Sequence, residues 1–396
     1  MSSPPERQPL NICLIAGEHS GDALGAKLMQ ALTETAPVPP KFTGLGGEAM
    51  QKQGLTSLFP MEEVAIMGPL AIAARLPSLI KRVHQCVDMV VSENPDLLVI
   101  IDSPEFTHPI AKRVRKAAKH IPIINYVSPT VWAWRPGRAK KMRPYVDEVL
   151  ALLPFEPNYH QQLGGPPCTY VGHPLIEKKQ WIDDLDEAAF KKKYQLIDAP
   201  LLVLLPGSRP NEIKHLLRPF EEVTEKIQHK LGNVQLVLPV VKSVQDTIAR
   251  ATQNWRVTPT IISDETDKFT AFKTADAALA ASGTVTLELA LTETPMVVAY
   301  KYDKILHLLR PLIKANMFAL ANHILGQKAF PELIQADCTP DKILSELLPL
   351  FDETAAPTRQ QKQMLDQITG KLFAAGPKPS HAAAERCLAH ISPPAQ

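Results

Sequence analysis

Residues Leu201 to Glu212 read LLVLLPGSRPNE, and they decide the fold. Five aliphatic residues are too few for a helix and fit a strand buried on both faces. Pro206-Gly207-Ser208 is turn chemistry, and Asn211-Glu212 opens a helical pattern that runs to Leu231. A buried strand, a small-residue turn and a helix make the first half of a βαβ unit. This unit begins in mid-chain, yet the chain's own start has the same grammar. An apolar run at Leu10–Ala16 leads into Gly17-Glu18-His19-Ser20-Gly21-Asp22 and a helix over Ala23–Thr35. The chain therefore starts over.

Working outward, the first half alternates strands at Leu97–Ile101, Ile121–Val127, Val149–Leu153 and Thr169–Val171 with helices at Pro77–Ser92, Pro109–Lys119 and Gly137–Tyr145. The second half continues with strands at Val234–Val240, Thr260–Ile262, Ala277–Ala280 and Met296–Tyr300 and helices at Val244–Gln253, Phe269–Thr274 and Val285–Leu291. The reset falls between Gly172-His173-Pro174 and Pro200, across a charged helix over Asp186–Tyr194 with Asp183 or Asp184 as its cap. The expected fold class is α/β: two Rossmann-like domains, 1–172 and 173–355, facing across a cleft, with 356–396 as a helical tail that packs on the first domain or on a partner subunit. Ligands of such sheets bind outside the carboxyl ends of the strands, so the residues just after each strand matter most.

Composition narrows the field. Among 396 residues, 43 basic side chains nearly balance 41 acidic ones, which excludes a general nucleic-acid binder. The five cysteines, Cys13, Cys86, Cys168, Cys338 and Cys387, show no zinc-knuckle or CxxC spacing and read as reduced, partly buried thiols. Leu10–Gly17 is too short and too weakly flanked for a signal peptide, and no apolar run is long enough to span a membrane.

Several strand ends carry chemistry. Gly17 to Asp22 forms a glycine-containing turn at a helix start, where backbone can approach a ligand. Gly44-Leu-Gly46-Gly47-Glu-Ala49 fits a relaxed dinucleotide pattern but follows the second strand, so it carries little weight. Asp102 ends the Leu97–Ile101 strand. It reads either as a carboxyl raised toward a general base by its apolar surroundings or as a helix cap. Trp132, Trp134 and Arg135 sit in the loop after the next strand, and read as a sugar- or acyl-stacking surface or as loop packing. In the second half, Gly207, Ser208 and Arg209 suit a diphosphate, and Ser282, Gly283 and Thr284 repeat the idea at a later strand end. Glu288 lies one helical turn on, placed to accept ribose hydroxyls. Two such loops and an Arg point to a nucleotide diphosphate. Asp184-Leu-Asp186 matches the metal-binding DxD pattern but opens a linker helix, so no metal and no cofactor are expected. Arg209 and helix dipoles must then hold the leaving diphosphate. Ile66, Met67, Leu70, Ile72 and Leu76, with Lys81-Arg82 behind them, read as a buried helix or as a surface that dips into anionic lipid.

Together, AGEHSGD (Ala16–Asp22), GLGGEAM (Gly44–Met50), IDSPEF (Ile101–Phe106), YVSPTVWAWR (Tyr126–Arg135), LALLPFE, VGHP, LLPGSR, ASGTVTLELAL and PELIQADCTP (Pro331–Pro340) resemble the lipid-A-disaccharide synthase family over roughly residues 10–350. The resemblance implies a GT-B fold and an inverting, metal-free transfer. Its implied substrates are UDP-2,3-diacylglucosamine and 2,3-diacylglucosamine 1-phosphate, giving a β-1,6-linked disaccharide and UDP in lipid A biosynthesis. It implies a cytoplasmic protein, peripheral on the inner membrane of a Gram-negative bacterium. Carried over by position, Asp102 is the base, Arg209 meets the diphosphate, and Asn322 is a functionally required asparagine. Gly207, Ser208, Ser282, Gly283, Thr284 and Glu288 belong to the UDP site. Glu18, Ser20, Gly21, Asp22, Trp132, Trp134 and Arg135 stand on the acceptor side. The family pairs as a homodimer with exchanged C-termini, and the stretch after Asp352 departs from its pattern, as do His19 and Pro69–Ala74. Two other readings remain at this point: a UDP-sugar 2-epimerase of the same fold, and a non-catalytic lipid-binding protein at the membrane surface.

Overall fold

The computed structural model describes residues 8–65, 75–301, 317–376 and 378–391. Ile66, Met67, Leu70 and Ile72 of the expected membrane patch lie outside the described residues. The chain forms two compact units: residues through Ile176 together with those from Ala374, and Glu177–Phe373.

In the first unit the elements run β1 (Asn11–Ala16), α1 (His19–Thr35), β2 (Lys41–Leu45), α2 (Glu48–Lys52), β3 (Thr56–Ser57), α3 (Leu76–Glu93), β4 (Leu97–Ile101), α4 (Pro104–Ala117), β5 (Ile123–Tyr126), α5 (Gly137–Met142), β6 (Glu148–Ala151), α6 (Glu156–Gln162) and β7 (Cys168–Tyr170). The strands pair in parallel in the order β3-β2-β1-β4-β5-β6-β7. β4 shows why the sequence gives this sheet. Leu97, Val99 and Ile101 enter one core with Leu28 and Leu32 of α1, while Leu98 and Ile100 enter the other with Val87 of α3 and Ile110 of α4. A strand covered on both faces has no polar side to show, so its residues read as an unbroken apolar run.

The second unit runs α7 (Lys179–Asp183), α8 (Glu187–Lys193), β8 (Leu201–Leu205), α9 (Pro210–Leu231), β9 (Gln235–Pro239), α10 (Gln245–Thr252), β10 (Thr260–Ile262), α11 (Glu265–Thr274), β11 (Ala277–Ala280), α12 (Val285–Leu291), β12 (Met296–Tyr300), α13 (Leu320–Leu325), β13 (Glu332–Ile334), α14 (Pro340–Leu347) and α15 (Ala356–Leu372). Its parallel sheet repeats the order: β10-β9-β8-β11-β12-β13. The linker-helix cap differs from expectation. A short helix, α7, occupies Asp183, and Asp186 caps α8, accepting the Ala189 N–H at 2.9 Å.

The segment after Asp352 is divided. α15 packs on α12 and α13 in the second unit, while a last helix, α16 (Pro379–Ala389), packs on α1 in the first. Glu148, almost wholly buried on β6, fastens α16. Its carboxylate accepts from Arg386 at 2.8 and 3.0 Å, from His390 at 2.7 Å and from Thr169 at 2.5 Å. Burial alone would push this carboxyl up, but those hydrogen bonds and the Arg386 charge outweigh it and hold it below the usual range. Among the described residues no helix is long and apolar enough to cross a membrane.

Candidate functional site

Each sheet reverses its strand order at one point, between β1 and β4 in the first unit and between β8 and β11 in the second. Crevices open there because the flanking connections leave in opposite directions. The register aligns Ala16 with Ile101, so the turns after β1 and β4 lie side by side. They approach so closely that a Cβ on Gly17 would stand 2.7 Å from Cβ of Ser103, which is why glycine is required.

This juxtaposition puts Glu18 against Asp102. Asp102 and Ser103 both take left-handed backbone, with φ of 51° and 42°. That strained pair is fixed by the Ser103 N–H on Asp102 Oδ1 at 2.8 Å and by the Thr107 hydroxyl on the Asp102 carbonyl at 2.7 Å. Burial, then the hydrogen bond and charge of Glu18, push the Asp102 carboxyl from 3.8 up to about 6, while the Ser103 N–H pulls it down. Glu18, His19, Ser20 and Ser103 line a cavity of about 810 Å³ whose other walls are largely apolar, including Val64, Leu76, Leu79, Ile80, Val83 and Phe106. Leu76 and Ile80 also reach solvent, 50% and 47% exposed.

Not every acceptor-side expectation reaches this cavity. The helix α1 starts at His19, so Ser20, Gly21 and Asp22 form its first turn. Asp22 turns inward and is buried. Its carboxylate accepts from the N–H groups of Gly47, Ala49 and Met50 at 2.8, 3.0 and 3.0 Å, capping α2. Gly21 lets α1 approach β4, since a Cβ there would meet the Ile101 carbonyl at 3.3 Å. Trp132 is buried edge-on to Phe155 at 5.3 Å, in the loop-packing role rather than a stacking surface. Trp134 is half-buried under the Arg135 guanidinium at 5.5 Å. Beneath this loop lies a polar brace that the sequence did not reveal. Ser128 Oγ meets His160 Nε2 at 2.9 Å, and Glu156, pushed up to about 8 by burial, accepts the Leu153 N–H.

In the second unit, Gly207, Ser208, Arg209, Ser282, Gly283, Thr284 and Glu288 all line one cavity of about 600 Å³. Arg209 is the residue before α9, its side chain 70% exposed and its Nη1 3.0 Å from Glu212 Oε1. The cavity therefore gathers a guanidinium, a helix N-terminus and small residues, the donors that a diphosphate needs. Two residues complete it that were not expected. Glu212 is buried and ties the turn together, accepting from the Ser208 N–H at 3.3 Å, Arg209 at 3.0 Å and the Tyr300 hydroxyl at 3.2 Å. Lys268 on α11 pairs with Glu288 at 2.9 Å. Its signal was only a lysine just ahead of the helix expected at Phe269–Thr274.

Asn322 lies outside that lining, fully buried on α13. Its amide donates to the Phe330 carbonyl at 3.2 Å and to Glu332 at 3.0 Å and accepts the Ala329 N–H at 2.7 Å. These bonds hold residues 329–332 against α13. Among the described residues no cluster of three or more His, Cys, Asp or Glu could hold a metal.

A family model described as lipid-A-disaccharide synthetase matches residues 12–386. A lipid-A-disaccharide synthase of Rhodopseudomonas palustris (strain HaA2) is 48% identical over 348 residues, 88% of this chain and 88% of that protein. One from Rhodospirillum centenum is 43% identical over 383 residues, 96% and 94% of the two chains. The fold also resembles UDP-GlcNAc 2-epimerase from Neisseria meningitidis, solved with UDP-GlcNAc (TM-score 0.63, 10% identity, 96% and 98% covered). The glycotransferase of kitacinnamycin is similarly close (TM-score 0.62, 16% identity, 98% and 100% covered). Those two likenesses concern fold alone, a two-domain Rossmann-like fold of the GT-B type. The sequence relationships go further, and by them the chain belongs to the lipid-A-disaccharide synthase family, glycosyltransferases of lipid A biosynthesis that act on UDP-sugar and lipid substrates.

Proposed function

We propose that the chain joins UDP-2,3-diacylglucosamine to 2,3-diacylglucosamine 1-phosphate by a single inverting displacement. The observation that carries this reading is Asp102: a carboxyl raised to about 6 at a sheet's switch point, beside an apolar cavity. A base with that value is ionised at neutral pH yet still has useful proton affinity. Asp102 takes the proton of the acceptor 6-hydroxyl as its oxygen bonds to the donor's anomeric carbon. The bond from that carbon to the diphosphate oxygen breaks, and its electron pair leaves with UDP. Glu18 keeps Asp102 basic. Arg209, Gly207, Ser208, Ser282, Gly283 and Thr284 receive the diphosphate, and Glu288 accepts the ribose hydroxyls. The apolar cavity takes acyl chain. Asn322 acts by holding its loop.

We also propose that the protein works at the cytoplasmic face of the inner membrane, which the exposed Leu76 and Ile80 support, and that it pairs as a homodimer, which the family resemblance supports. Vesicle flotation and sedimentation equilibrium test these two statements.

The central test mixes protein, donor and acceptor and follows UDP release and product mass. Asp102→Asn should lose turnover and keep UDP affinity. A variant that turns over normally, or that no longer binds UDP, removes Asp102 from the role of base.

A further inference from the structure

Beside the acyl cavity the first unit has a second recess, of about 700 Å³, that the reaction above leaves unassigned. Five cations surround it: Lys112 and Arg113 from α4, Arg135 from the preceding loop, and Arg138 and Lys141 from α5. A single carboxylate, Glu105, stands among them. The arrangement follows from helical periodicity. Glu105, His108, Pro109, Lys112 and Arg113 fall on one face of α4, and Arg138 and Lys141 are one turn apart on α5.

An ordinary solvated basic face disperses its charges, whereas these converge. Glu105 Oε1 is 2.5 Å from Arg138 and 3.7 Å from Arg135, so one exposed carboxylate draws two guanidinium groups to a common point. Lys112 and Lys141 make no ion pair among the described residues. The back wall adds polar atoms without negative charge: His108 Nδ1 meets the Tyr145 hydroxyl at 3.0 Å. His108 is kept neutral, its value lowered to about 4 by burial and then by the Arg138 charge. The recess also shares Pro104, Glu105, Pro109 and Arg113 with the acyl cavity, so an apolar and a cationic compartment meet along the start of α4.

A ligand suited to both compartments has a hydrocarbon part and a compact anion of more than one negative charge. We infer that this recess seats the phosphate monoester of the acceptor, with Arg138 and Lys141 as its specificity-determining side chains. This rests on the reaction proposed above. The phosphate displaces Glu105 as the partner of the two arginines, and planar guanidinium forks fit its oxygens.

The test compares wild type with Arg138→Gln/Lys141→Gln, using short-acyl acceptor with and without its 1-phosphate. The double variant should lose about 100-fold in kcat/KM for the phosphorylated acceptor, as expected for two charge-assisted hydrogen bonds. KM for the UDP donor, turnover of the unphosphorylated acceptor and Tm should not move. Lys141→Gln alone, at an exposed position, should give about a tenfold loss if the double variant folds poorly. Binding of glucosamine 1-phosphate, measured by calorimetry without donor, should weaken in parallel. Full preference for the phosphorylated acceptor in the variants overturns the inference. So does a variant that loses binding to phosphatidylglycerol-containing vesicles but keeps that preference, because the cluster would then read lipid headgroups. If wild type releases no UDP from either acceptor, the reaction reading fails, and the calorimetric binding still decides the subsite.

Discussion

Replacing Asp102 by Asn should stabilise the protein at neutral pH as it abolishes turnover, and the gain should vanish in acid. The carboxyl stands at about 6 against 3.8 in an unfolded chain, raised first by burial and then by Glu18. A shift of about two units corresponds to roughly 3 kcal/mol between the two protonation states. Between those two values the folded chain holds a proton that the unfolded chain has released. Stability therefore falls as pH rises through that window and is flat above about 6. Asn keeps an oxygen for the Ser103 N–H and offers an N–H to Glu18, so it imitates the protonated acid at every pH. The expected gain is up to about 3 kcal/mol at about pH 8, less where water screens the pair, and close to zero at about pH 4. In a unit of this size each kcal/mol moves Tm by about 2–4 °C. Calorimetric melting of both proteins across this range reads the effect directly. A gain that does not depend on pH, or a loss at about pH 8, would refute the argument that the fold holds this carboxylate at its own expense.

Three other substitutions probe the supports of the site. Gly207→Ala places a Cβ at φ +106° and 2.5 Å from Glu212 Oε2; UDP affinity should fall at least about tenfold with a cost of about 2 kcal/mol, read by calorimetric titration and melting. Asn322→Ala strands the Ala329 N–H and removes both amide donors, so the second unit should lose about 3 kcal/mol while UDP affinity below the melting range changes little. A large affinity loss at full stability would instead put Asn322 in contact with substrate. Arg386→Leu leaves Glu148 buried with only His390 and the Thr169 hydroxyl as partners. About 3 kcal/mol should be lost from the first unit, the low end for a broken buried pair because the Arg386 side chain is 45% exposed. The deficit should shrink as acid protonates Glu148, and equal deficits at all pH values would count against the ion pair.

How legible this was depends on the range of the interaction. The strands Leu97–Ile101, Leu201–Leu205, Ala277–Ala280 and Met296–Tyr300 are found where periodicity puts them, because a strand buried on both faces announces itself locally. Gly207, Ser208, Arg209, Ser282, Gly283 and Thr284 of the second cavity were legible for the same reason, since each follows a strand, and Glu288 lies one helical turn beyond Thr284. Asp22 was not, because the α2 N–H groups it caps lie 25 to 28 residues away. Glu148 is joined to Arg386 across 238 residues, and nothing in either segment points to the other. Trp132 shows a different limit, since an aromatic in a loop has the same composition whether it faces a sugar or Phe155.

The pairing of Glu18 with Asp102 shows why topology had to intervene. The two residues are far apart in sequence, and β2 and β3 come between their strands in chain order. They meet because the sheet reverses direction after β1, setting β4 beside it. The second unit makes the same reversal between β8 and β11, and its loops meet in the same way. The scaffold is thus used twice with opposite charge. At one switch point a tight glycine, Gly17, lets two carboxyls approach until one becomes basic. At the other, Gly207 packs against Glu212, whose carboxylate holds Arg209, the side chain we propose for the leaving diphosphate. Exchanging these chemistries between the units would require no change of strand order, only of the few residues after each central strand. That is why the fold likeness to a 2-epimerase is compatible with a different reaction, and why the family assignment rests on the sequence relationships rather than on the fold.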